Sequence, residues 1–137
     1  MVKVKPEFET IELSKDEIIF LHRKMWSDMK KELGDIPSGI ERVEYKERWC
    51  HQHKIALVND CFLCHYTYKC NLCPIVWPHN KCFSLDPAFE SETYSTMPIS
   101  DILNLPERKF AEERHVFVPV GDIDGLRKML WEMNKGE

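Results

Sequence analysis

Five of the six cysteines fall between positions 61 and 82, in the spacing Cys61-x2-Cys64-x5-Cys70-x2-Cys73-x8-Cys82. A C-x-x-C turn sets two sulfurs on one side of a tight loop, within reach of a single ion. Two such turns supply the four thiolates of a tetrahedral shell, which suits zinc. The pattern predicts a central loop region stapled by one zinc. Five residues separate the two pairs, fewer than in an ordinary zinc ribbon, so the ligand set stays open. Cys61, Cys64, Cys73 and Cys82 are the first candidates, with Cys70 as the alternate; His65, His79 or Cys50 can also join.

Three other readings compete for the same letters. CFLCH at 61–65 spells the attachment signature of a c-type haem, but that chemistry needs an export signal, and none is expected here. Cys64-x5-Cys70-x2-Cys73 approaches the spacing of two-iron ferredoxins, yet Tyr66, Tyr68 and Lys69 stand where a small-residue loop would wrap the cluster. Disulfides need an oxidising compartment. MVKVKPEFETIEL at the start has no apolar core of a secretory signal, and no apolar run reaches the length of a membrane span. The expectation is a cytoplasmic protein with no membrane partner, in which clustered cysteines hold metal. The zinc is expected to be structural: H-E-x-x-H and H-x-E are absent, and few carboxylates flank the cluster.

At 137 residues and 43% apolar content, the chain is long enough for one domain with a real core. We divide it into an N-terminal arm or edge strand (1–13), a helical part (14–60), the metal-binding segment (61–82), an acidic loop with a short helix (83–113), and a strand with a C-terminal helix (114–137). The clearest helix follows Ser14 and Glu17, an S-x-x-E capping box. Ile18, Leu21, Met25, Met29 and Leu33 then recur at helical spacing, with Trp26 widening the stripe, and Gly34 and Pro37 stop it. A second helix is expected at about 39–53, with Ile40, Val43, Trp49 and Cys50 on one face. ISDILNLPER suggests a short helix around 99–105, and RHVFVPV a strand. Asp122 can cap a last helix lined by Leu126, Met129, Leu130 and Met133. The fold class is α+β, mostly helical, with the zinc-stapled loop region at its centre. Trp26 and Trp131 are expected in the core, and Trp77 against the metal loop. Lacking any apolar period, the segment 61–82 is expected to lose its order when the metal is removed.

The net charge of −4 argues against a protein that coats nucleic acid. Residues 42–81 nevertheless hold six Lys/Arg against three Asp/Glu. A nucleic-acid-binding module would use this region, with Tyr66, Tyr68 and Lys69 on the contact face. A zinc-dependent hydrolase or nuclease would draw on His51, His53 or His79. His51 and His53 equally suit polar positions at a helix end. No nucleotide-binding or nucleophile-elbow motif is present.

LHRKMW at 21–26, C-F-L-C-H-Y at 61–66, C-N-L-C-P-I-V-W at 70–77, Cys82 and LNLPER at 103–108 together resemble a group of small, uncharacterised cysteine-rich proteins of bacteriophages and prophages. The likeness spans about residues 18–110. His65 stands where the group has Glu and Val76 where it has Asp, and the Cys64–Cys70 gap is shorter. The resemblance implies zinc binding, a phage origin and action in the host bacterial cytoplasm; it implies no activity. The expectation is a non-enzymatic accessory protein that binds another macromolecule, in the first instance a host or defence protein.

Overall fold

Two capping boxes set the frame. In the computed structural model, which describes residues 8–57, 60–67, 72–78, 93–109 and 114–135, Ser14 opens α1 (Lys15–Leu33). Its Oγ accepts from the Glu17 amide at 3.2 Å, and the Glu17 carboxylate accepts from the Ser14 amide at 2.8 Å. The S-x-x-E pattern repeats at Ser38 and Glu41, which open α2 (Gly39–Gln52) in the same way. Each box satisfies amides that the first helical turn leaves without partners. Gly34, with φ +87°, ends α1 in a conformation that a side chain would strain.

α1 is the hub. It touches α2, α3 (Phe62–Tyr66), α4 (Ile99–Leu103) and α5 (Ile123–Lys135) in turn. Ile18, Leu21, Met25, Trp26 and Met29 are buried along it, as their spacing predicts. The turn between α1 and α2 holds α4. Asp35 accepts from the Ser100 amide and hydroxyl at 2.7 and 3.0 Å, and its carbonyl accepts from the Ile99 amide.

The N-terminal stretch contributes β1 (Glu9–Leu13), which pairs antiparallel with β2 (Val116–Val120), Leu13 opposite Val116 and Glu9 opposite Val120. Val116, Val118 and Val120 are buried and Phe117 exposed, an alternation that stops at Pro119, which is buried as well. The residues after α2 close on the far edge of β2. The Ala56 amide donates to the Pro119 carbonyl at 3.1 Å, and the Gly121 amide to the Lys54 carbonyl at 2.7 Å. The architecture is thus helices around a small two-stranded sheet, a mixed helix-and-strand fold. No described helix is long and apolar enough to cross a membrane.

Three sequence expectations change. α2 buries Trp49 and Cys50 as expected, but it turns Ile40 and Val43 to solvent, 73% and 48% exposed, and buries Arg42, Tyr45 and Lys46 in their place. Arg42 takes the inward place because three backbone carbonyls wait there. Its Nε donates to Pro37 and its Nη1 to Tyr94 and Met97. Trp131 is 62% exposed on α5 and is not a core residue. The cysteine segment also carries more core than its irregular pattern suggests: Phe62, Leu63, Tyr66, Ile75 and Trp77 are all buried. Most of the expected acidic loop lies outside the described residues.

Candidate functional site

α3 is a single helical turn seated on α1 by Phe62, Leu63 and Tyr66. Phe62 meets the Trp49 ring edge-on, with centroids 5.8 Å apart. This apolar footing fixes the orientation of the C-x-x-C turn. Cys61 is the residue at the N-terminal end of α3 and Cys64 lies within it, so the short helix brings their sulfurs together. The two thiols share a side-chain hydrogen bond. That bond first, and then burial, push the Cys61 thiol well above its ordinary range, while the Cys64 amide draws it the other way. Adjacent sulfurs with a backbone amide donating to one of them have the disposition that two ligands of a tetrahedral thiolate shell would need.

Cys73 is buried at the head of the next described segment. Its carbonyl accepts from the Arg108 Nε at 2.8 Å. The Arg108 amide donates to the Pro74 carbonyl and the Val76 amide to the Pro106 carbonyl, so 73–77 runs beside 105–108. Cys70, Cys82 and His79 lie outside the described residues, as do Tyr68 and Lys69. Among the described residues, no three His, Cys, Asp or Glu side chains are grouped to hold an ion.

A buried cation stands near the thiols. Lys46 is 8% exposed, with its Nζ 4.8 Å from the Tyr94 ring centroid and 6.0 Å from that of Trp26. Its charge favours the thiolate form of both Cys61 and Cys50. At Cys50 burial dominates, with Asp60 adding to it, and the thiol is pushed up to about 12. That is the reverse of an activated nucleophile, which needs a depressed thiol pKa.

The histidines divide. His65 Nε2 lies 2.8 Å from the Phe117 carbonyl, where a ring N–H can donate, tying α3 to β2. His53 ends α2 and packs on Trp49 with the rings tilted at 47° and centroids 4.2 Å apart; burial lowers its pKa. His51 is exposed at the same helix end. These are the positions of helix-end polar residues. Tyr66 requires a correction. It is 1% exposed, its hydroxyl accepts from the Arg114 amide at 3.1 Å, and the Arg114 guanidinium donates to its carbonyl. A ring enclosed in this way is no platform for a nucleic-acid base.

Two residues that the sequence did not single out stand out chemically. Lys46 is one, and its spacing from Arg42 and Trp49 was the available signal. The other is His22, 1% exposed on α1, with neither ring nitrogen hydrogen-bonded to a described residue. Burial first, then the charges of Lys46 and Arg23, lower it to about 3. The Trp77 ring meets it edge-on at 6.2 Å, and Trp77 Nε1 also has no partner among the described residues. Comparison with protein-family models, curated proteins and solved structures gives no match.

Proposed function

We propose that this chain is a phage-type accessory protein, held together by one zinc and acting by binding a host or defence protein in the bacterial cytoplasm. Cys61, Cys64, Cys73 and Cys82 are the proposed ligands, with Cys70 as alternate. The observation that supports the zinc is the pairing of the Cys61 and Cys64 sulfurs on a helical turn anchored in the core. Bound zinc would supply a cross-link between 61–64 and the cysteines that follow, releasing the thiol protons. In that arrangement Lys46 offsets part of the negative charge of the thiolates. The proposal includes no catalysis. Its support is the raised Cys50 thiol and the engagement of His65 and His53 in structural contacts. The phage origin and the partner class rest on the resemblance of the cysteine motifs.

Elemental analysis of the purified protein together with its absorption spectrum tests the metal. One zinc per chain without visible colour is expected; iron with visible absorption would overturn the assignment. A pull-down from expressing cells tests the binding role, which fails if no specific protein is retained.

A further inference from the structure

The outer face of α2 carries two exposed β-branched residues among its polar ones. Ile40 and Val43 lie on the same side of the helix, and Ile36 precedes them in the turn that leads into it. Their exposures are 73%, 48% and 73%. Single exposed apolar residues need no explanation. Two on one face of a helix, with a third in the turn before it, do, because β-branched side chains weaken a helix and Ile40 and Val43 gain little packing in return. The same face carries Glu44 and Glu47, both exposed, with His51 beside them and Arg48, which pairs with Glu32, at its border. Neither has an ion-pair partner among the described residues. The inward face of the helix, meanwhile, holds its two buried cations, Arg42 and Lys46.

We infer that this face docks a basic amphipathic segment of a partner protein, its apolar side chains on Ile36, Ile40 and Val43 and its Lys or Arg side chains on Glu44 and Glu47. The inference rests on the binding role proposed above and names the surface that performs it. Charge decides the occupant. A second copy packed by two-fold symmetry would bring this carboxylate-bearing face against itself, whereas a basic partner neutralises it. The stripe is small, so the contact belongs to the weak, transient class of interface.

The test uses a synthetic helical peptide with leucines on one face and lysines on the other, and a twin with glutamate for every lysine. Binding is followed by backbone amide shifts of the full-length protein. The lysine peptide should shift amides between 36 and 47, and the glutamate twin should not. Ile40→Asp, and the pair Glu44→Lys with Glu47→Lys, should each weaken binding by roughly tenfold or more. Circular dichroism should stay unchanged, since these side chains are exposed. Equal binding of the two peptides, shifts confined to another surface, or full binding by Ile40→Asp would overturn the inference. So would a dimer in sedimentation that Ile40→Asp dissolves, which would give the face to a second copy. A cellular partner held equally by wild type and Ile40→Asp would overturn the docking face and leave the binding role standing. A wild type that retains no specific protein counts against the binding role itself.

Discussion

His22 is an imidazole kept from water, within the reach of two positive charges. Its pKa falls from 6.5 to about 3 because burial and the charges of Lys46 and Arg23 all oppose protonation. In the unfolded chain the same ring takes a proton near its ordinary value. As pH falls, the unfolded state therefore binds this proton first. The stability contributed by the neutral ring is complete above 6.5 and is lost progressively as pH drops toward 3. Between about pH 7.5 and about pH 5 the loss is about 2 kcal/mol, at 1.36 kcal/mol per pH unit below 6.5. Urea unfolding midpoints at those two values should show this slope in the wild type and lose it in His22→Leu. An identical slope in both would locate the acid sensitivity elsewhere. Nothing in the sequence marked this histidine, because its isolation is set by Trp77 and Lys46, which reach it only in the fold.

At the scale of elements, the legibility of a helix followed the nature of its partners. α1 was readable to within a residue because its apolar stripe, its capping box and Gly34 are all local signals. α2 was readable in extent but not in orientation. Its buried face includes Arg42 and Lys46, whose aliphatic stems cover the core while their charged heads meet groups about fifty residues away. A reading by hydrophobicity alone turns such a helix the wrong way, toward Ile40 and Val43. The consequence can be measured. Arg42→Met would leave the carbonyls of Pro37, Tyr94 and Met97 without their donor, and should cost about 3 kcal/mol or more in denaturant unfolding. Arg42→Lys should recover only a part, since one ammonium cannot reproduce the planar fork. Ser14→Ala and Ser38→Ala remove one cap each and should cost about 1 kcal/mol apiece. A near-neutral Arg42→Met would mean that the three carbonyls find other donors.

For the whole molecule, the question is what removal of metal would undo. The irregular pattern of 61–82 suggests a loop that loosens by itself. The packing of Phe62 on Trp49, with Leu63 and Tyr66 beside them, points to a wider effect. Trp49 also donates through Nε1 to Asp28 on α1 at 3.0 Å. An α3 that left its seat would open the face of Trp49 and disturb α1 with it. If zinc holds Cys61 and Cys64, chelation should lower the cooperative melting transition of the entire chain, with the near-UV tryptophan signal lost in the same step. Zinc at about a thousand times its Kd contributes about 4 kcal/mol by linkage, enough to move that transition by many degrees in a domain whose net stability is on the order of 5–15 kcal/mol. Cys61→Ser combined with Cys64→Ser should reproduce the chelated state and no longer respond to chelator. A separate early transition that exposes the cysteines while the tryptophan signal and main melting point hold would restore the loosely attached loop as the better description. The apolar residues of α3 would then be sufficient to hold the core without metal.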